Sequence, residues 1–249
     1  MGRRAVNFED LYYDELTTAT YQELLRVGGW FNHMFGYHPL LVGGWAVYYY
    51  NPAGLGSRDV DLIFPDRKLK DRVVNQYLMT HGYERERRSE FEEEYVLLVR
   101  TSRGVEHVYL DVATVQDPNR VHGADVEVPW KLAFDHQRLA KIADAEFYVP
   151  SPEVLILLKV KAAVDREYDA RRAFDPFFLQ QKSWKDYYDV ASLLKACEFD
   201  TGLIAGLVKA HRFEPYFQKA MSSLSRKRSV LDRHGVRWRD LKGKLGSLV

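Results

Sequence analysis

One cysteine, Cys197, stands in a chain of 249 residues. An internal disulfide and a cysteine-ligated zinc site are therefore excluded. No apolar run approaches the roughly twenty residues that a membrane-spanning helix needs. The N-terminal MGRRAVNFEDLYYDEL has basic residues but no apolar core segment. No signal peptide is expected, and a cytoplasmic protein is the simple reading. The eight histidines show no HxxxH spacing, which disfavours a zinc hydrolase. G-x-x-x-x-G-K-[ST] is missing and no convincing G-x-G-x-x-G occurs, so P-loop and Rossmann chemistry are set aside. Neither repeats nor low-complexity segments interrupt the chain.

Hydrophobic residues make up 46% and charged residues 29%, the balance of an ordinary globular protein. Its length suits one sizeable core or two small domains. The net charge of +1 hides an asymmetry. Residues 1–150 hold 17 Lys and Arg against 23 Asp and Glu, a balance of −6. Residues 151–249 hold 19 against 12, a balance of +7, densest in SRKRSVLDRHGVRWRDLKGKL. A basic half invites an anionic partner such as a nucleotide or RNA, although a solvated helical surface explains the same numbers.

The texture changes near residue 150. From Thr17 to about Gly36 the spacing of Tyr21, Leu24, Leu25, Phe31 and Met34 predicts a helix with a Thr-rich start, weakened or bent at Gly28-Gly29. HPLLV reads as a short buried strand, and WAVYYY as the start of a helix. RDVDLIF alternates as a strand does, and DRKLKDRVVNQYLMTH reads as an amphipathic helix capped by Asp66 with Gly82 after its end. YERERRSEF, EEYVLLVR and VEHVYLDVATV read as strands. RLAKIADAEFYVPS reads as a hairpin turning at Ala143-Asp144. Beyond it, SPEVLILLKVKAAVDREYDARRAF predicts a helix with a Ser cap and Pro in its first turn. SWKDYYDVASLLKAC, DTGLIAGLVKAHRF and EPYFQKAMSSLSRKRSVLDRHG each predict one more helix. The expected class is α+β, a mixed sheet with flanking helices followed by a helical domain. The expected domains are 1–148 and 149–249.

Asp59 and Asp61 share one face of their strand, while Val60, Leu62 and Phe64 share the other. A lone D-x-D equally suits the solvent edge of a half-buried strand. In VEHVYLDVATV, His107, Tyr109 and Asp111 again share a face. If the two strands are neighbours, three carboxylates converge. Such oxygen-rich sets suit Mg²⁺, and two such ions serve in-line phosphoryl transfer. Gly43-Gly44, at a strand-to-helix junction, lets backbone approach a ligand, and the next helix start can hold phosphate.

The order strand, Gly-Gly, short helix, turn, Ser-Arg-Asp-Val-Asp, later strand with Asp resembles the nucleotidyltransferase superfamily related to DNA polymerase β. Its minimal members, the AbiEii-type and MenT-type toxins and the aminoglycoside and lincosamide nucleotidyltransferases, are the most similar. GGWA resembles the antibiotic-modifying branch, with Trp45 where the family places Ser or Thr. LKVKAAVDR resembles the AbiEii-like pattern that places Lys159 and Arg166, and WKDYYDVASLL the segment that gives Lys185, Asp186 and Asp189. The resemblance covers about residues 38–195.

It implies an enzyme that moves a nucleoside monophosphate from an NTP to an acceptor and releases pyrophosphate. Asp59, Asp61 and Asp111 would be catalytic and hold Mg²⁺, one ion or two. Gly43 and Gly44 would cradle the phosphates and Lys159 would neutralise them. Ser57, Arg58, Arg166 and Asp186 would belong to the substrate site. His107 and Tyr109 could line the acceptor cleft or simply pack. The acceptor reading is RNA such as tRNA, for a toxin with a cognate antitoxin protein. A small-molecule, antibiotic-type transferase is the alternative, and a nucleotide-binding module without activity is the third reading.

Overall fold

The computed structural model describes residues 12, 14–87, 93–174 and 176–248. The chain divides into two compact units. One holds the chain up to Tyr48, Leu55–Asp117 and Leu139–Val149; the other holds Tyr49–Gly54, Pro118–Arg138 and the chain from Pro150. The elements run α1 (Asp14–Phe35), β1 (Leu40–Val42), α2 (Gly43–Tyr50), β2 (Asp59–Phe64) and α3 (Arg67–Gln76). A 3-10 turn (Leu78–Thr80) leads to β3 (Glu84–Arg87), β4 (Glu93–Thr101) and β5 (Gly104–Thr114). Then come α4 (Lys131–Asp135), β6 (Gln137–Ile142) and β7 (Ala145–Pro150). The remainder is helical: α5 (Pro152–Ala170), α6 (Phe177–Ala196), α7 (Thr201–Ala210), α8 (Glu214–Arg226), α9 (Arg228–His234) and α10 (Trp238–Leu245). The α+β class expected from the sequence is the one observed. Among the described residues, no helix is long and apolar enough to cross a membrane.

Seven strands form one mixed sheet in the order β3-β4-β5-β2-β1-β7-β6. β2 runs parallel to β5 and β1 parallel to β7; β1–β2, β3–β4 and β4–β5 are antiparallel. The alternation read from the sequence sets the faces. Val60, Leu62 and Phe64 on β2 are fully buried, as are Val108 and Leu110 on β5. Helix α1 covers this face with Leu24, Val27 and Phe31, and the Phe31 ring lies 5.8 Å from that of Phe64. Each such side chain withdrawn from water contributes roughly 1.5–3 kcal/mol. Asp66 caps α3 as expected, accepting the Leu69 N–H at 2.8 Å.

Several boundaries differ from the sequence reading. Helix α1 starts at Asp14, and Met34 is half exposed, because the buried stripe runs through Leu16, Leu24, Val27 and Phe31 instead. Ser151 occupies the N-cap of α5, yet its hydroxyl makes no capping bond and is buried without a hydrogen-bond partner. Helix α5 ends at Ala170 rather than running to Phe174. The part of YERERRSEF at 88–91 lies outside the described residues. The long helix expected from Glu214 to Gly235 is two, broken at Lys227, whose ψ of 71° is not helical. A continuous helix would carry Lys227 and Arg228 on the stripe that buries Phe217, Met221 and Leu224, and the break releases them. Helix α10, unforeseen, lies in the basic tail and buries Leu241 and Leu245.

The glycine pair in α1 separates cleanly into two cases. A Cβ on Gly28 would stand 2.2 Å from Phe147 Cζ, whereas one on Gly29 would meet nothing within 4 Å. Gly29→Ala should therefore raise stability by up to about 1 kcal/mol through helix propensity. Gly28→Ala should lower stability, because overpacking a filled site costs about 1–3 kcal/mol. Chemical denaturation of the two single variants checks the opposite signs.

Candidate functional site

The apolar triplet Leu40-Leu41-Val42 places β1 beside β2 with Val42 opposite Asp61. The chain then turns at once into α2. Gly43 takes φ of 68°, a left-handed conformation open to glycine, and a Cβ there would fall 1.8 Å from Asp61 Oδ2. Gly44 is pressed on Ser57, where a Cβ would stand 2.6 Å from Oγ. Ser57 is buried, and its hydroxyl accepts the Asp59 N–H at 3.4 Å. The glycine pair thus lets the start of α2 close on β2, against the Asp61 carboxylate. A helix start of this kind favours negative charge.

β2 and β5 are parallel neighbours, and Asp61 lies directly opposite Asp111. Asp59 is two residues back on the same face, opposite Tyr109. All three carboxylates are half-buried, while Val60, Leu62, Leu110 and Val112 between them are buried. The antiparallel pairing of β4 adds an acid that the sequence reading missed. Glu94 stands opposite Asp111 and is only 4% exposed. Asp61, Asp111 and Glu94 therefore form one row across three adjacent strands. Its sequence signal was present but faint: Glu94 is the last of three successive glutamates, and only the register tells which of them faces the row. Among the described residues, no group of three or more His, Cys, Asp or Glu side chains is gathered to hold a metal ion by itself.

The neighbouring candidates have defined partners. Arg58 reaches Glu106 on β5 at 3.9 Å, on the opposite face from Asp59. His107 Nδ1 and the Tyr109 hydroxyl are 3.2 Å apart, with their rings edge to face at 5.9 Å. Trp45 is buried, its ring 5.3 Å from both Tyr21 and Tyr48. It packs α2 on α1, so the position that holds Ser or Thr in the family pattern is a core position here.

The other sequence-predicted residues lie in the helical unit. Lys159 and Arg166 are seven residues apart on α5 and meet the same partner, Asp186 of α6. Lys159 Nζ is 3.3 Å from Asp186 and 2.8 Å from Asp189; Lys185 adds a 2.6 Å pair with Asp189. Lys161 faces Asp165 instead, at 2.6 Å. Asp186, Asp189 and Lys185 are buried, so the cluster bolts α5 to α6. Burial pulls the Lys159 ammonium down, but the charges of Asp189 and Asp186 outweigh it and hold Lys159 above the usual lysine range. Burial pushes Asp189 up, and Lys159 and Lys185 reverse that, holding it below the usual carboxylate range. Burial wins at Lys185, whose ammonium is drawn down. Removing one partner of such a buried set typically costs about 3–5 kcal/mol.

No protein-family model matches the chain, and no curated protein matches its sequence. Solved structures give likenesses. An antigenic nucleotidyltransferase-like protein from Paracoccidioides brasiliensis is 17% identical over 84% of this chain and 93% of that one, with a TM-score of 0.44. JHP933 from Helicobacter pylori is 15% identical over 94% and 90%, with a TM-score of 0.49. The antibiotic-resistance factor ANT(2'')-Ia is 17% identical over 80% and 93%, with a TM-score of 0.45.

Two outcomes follow from this geometry. Gly43→Ala should cost at least about 1–3 kcal/mol from backbone conformation alone, with the Asp61 carboxylate displaced; denaturation and NMR shifts of the Asp61 neighbourhood check it. The helical unit should also lose stability in acid, in two steps. His234 is buried, its Nε2–H donating to the Tyr188 carbonyl at 2.9 Å, and burial draws its imidazole below the usual histidine value. Its contribution is complete above the unfolded value of about 6.5 and is lost as pH falls from there toward the folded value. The Asp189 contribution is complete above about 3.9 and is lost at lower pH. Denaturation midpoints between pH 7 and pH 2 should show the upper step and the onset of the lower one, and His234→Gln should abolish the upper one.

Proposed function

We propose that the chain is a Mg²⁺-dependent nucleotidyltransferase that moves a nucleoside monophosphate from an NTP to an RNA acceptor such as tRNA. The observation that carries this reading is the junction at Gly43. Asp61 stands against the start of α2 and opposite Asp111, with Asp59 on the same face. Phosphate-friendly backbone and hard oxygen donors thus occur side by side. Mg²⁺ is commonly held by one or two carboxylates together with waters and substrate phosphates, so the Asp61–Asp111 pair and Asp59 fit it without a closed cage. Bound there, the ion would offset charge developing on the phosphates and lower the acceptor's pKa.

The residues of the chain then have separate tasks. Asp59 and Asp61 would hold the ion beside the triphosphate. Gly43 and Gly44 bring the start of α2 against Asp61, and a helix start of this kind would favour phosphate oxygens there. Asp111 takes the proton of the acceptor hydroxyl as its oxygen bonds to the α-phosphorus. The bond from the α-phosphorus to the bridging oxygen breaks, and pyrophosphate leaves. Lys159, for which the motif implies a triphosphate-neutralising role, is held within the helical unit by Asp186 and Asp189, and Arg166 shares Asp186. A toxin of the AbiEii or MenT kind, with a cognate antitoxin and a cytoplasmic site of action, is the fuller form of this reading. The Glu94 carboxylate favours a second reading, a cationic small-molecule acceptor of the antibiotic type, because it enlarges the acidic row.

Incubation with Mg²⁺, each labelled NTP and total tRNA should label the RNA and release one pyrophosphate per label. Asp59→Asn and Asp61→Asn should each reduce the rate by about 10²–10³-fold without unfolding the protein. Absence of pyrophosphate release with both tRNA and aminoglycoside acceptors would sink the proposal.

A further inference from the structure

The β4–β5 ribbon is longer than the sheet that supports it. β2 pairs with β5 only from Tyr109 onward, and β3 pairs with β4 only as far as Val96. Leu97–Thr101 and Gly104–Val108 therefore pair only with each other among the described residues. A two-stranded ribbon alone is marginally stable in water, and this one spends apolar side chains on its surface. Leu98 is 55% exposed and Val105 62%.

The register shows which face these side chains occupy. Opposed pairs across β4 and β5 share a face, and same-face positions recur about every 6.8 Å along a strand. Moving outward from the acidic row, Glu94 and Asp111 are followed by Val96 and Tyr109, then Leu98 and His107, then Arg100 and Val105. On β4 and β5 this face thus reads acid, aromatic, apolar and cationic in that order, with Glu84 and Glu86 of β3 beside its acidic inner end. The His107 and Tyr109 rings brace each other edge to face, so they form a firm platform rather than two loose side chains. Glu106 points to the opposite face, where its carboxylate is engaged by Arg58.

We propose that this outer face of the ribbon, comprising Leu98, Arg100, Val105, His107 and Tyr109, is the docking strip for an unpaired end of the RNA acceptor. The proposal rests on the nucleotidyltransferase reading above. Bases have flat apolar faces that stack on aromatic and aliphatic side chains, and the phosphates between them attract arginine. The strip runs into Asp111 at its inner end, so a strand laid along it leads its terminal hydroxyl toward the acids. A polycationic small molecule would gain nothing from Leu98, Val105 or Arg100.

The test measures binding apart from chemistry. A fluorescent single-stranded 12-nucleotide RNA is titrated with the protein in Mg²⁺ without NTP, at two salt concentrations. The wild type should bind, more weakly at high salt. L98S/V105S should bind about tenfold or more weakly, as expected for lost stacking, with an unchanged thermal midpoint because both positions are exposed. His107→Ala should also weaken binding. The control is Phe174→Ser, which removes a still more exposed apolar side chain from the helical unit and should change nothing. The docking strip is overturned by absent wild-type RNA binding, by unchanged affinity in the double variant, or by an equal loss in Phe174→Ser. A wild-type dimer that L98S/V105S dissolves would assign the strip to a second copy of the chain and overturn it too. Pyrophosphate release is scored separately, so a failed transferase reading and a failed docking strip give different results.

Discussion

The contact between Gly43 and Asp61 is the constraint on which the rest of the mixed sheet unit turns. β1 is three residues long and antiparallel to β2, so the chain must leave the sheet immediately after Val42. Only a residue with no side chain can make that exit, because Asp61 fills the space where a Cβ would stand. The same exit starts α2 beside a carboxylate and packs Gly44 on Ser57. Val42, Gly43 and Asp61 thus fix the place where backbone dipoles and acidic oxygens meet. The buried partners on the other face, Val60, Leu62 and Phe64, keep β2 from shifting, since a one-residue slip would carry the acids into the core.

The helical unit is organised by a different force. Its α5–α6 pairing is apolar along most of its length, but the centre holds Lys185, Asp186 and Asp189 away from water, with Lys159 part-buried against them. Buried ions of this sort seldom add net stability over an apolar packing of the same volume, and breaking one pair is costly. Arg166, more exposed than the aspartates, extends the same chain of charge toward the surface.

Much of this was legible from local pattern. The alternation in RDVDLIF and VEHVYLDVATV gave the correct buried faces, and the Asp66 cap, the Gly43-Gly44 junction and the Ala143-Asp144 turn follow from single-residue chemistry. Lys159 and Arg166 could be placed on one helix face from their spacing. Other features depend on partners that local pattern does not contain. Gly28 and Gly29 look alike in sequence, yet one faces Phe147 and the other faces space. Glu94 is one of three glutamates in a row until β4 is set in register. The break at Lys227 appears only when the buried stripe of α8 would have to continue through two basic residues. Ser151 has the residue type and the position of a cap, but its burial leaves the hydroxyl without that bond.

Sequence alone determined which residues could sit on the same face of a strand or helix, because those periods are properties of the backbone. It therefore identified Asp59 with Asp61, His107 with Tyr109 and Asp111, and Lys159 with Arg166. Only the tertiary structure decided which faces meet. Strand order and register put Asp61 opposite Asp111 and Glu94 beyond it, and helix packing put Lys159 between two aspartates. The physical reason is that alternation constrains one strand at a time, whereas register is set by the hydrophobic surface of the whole sheet and by how closely neighbouring backbones can approach. At Gly43 that approach is limited by a single missing side chain.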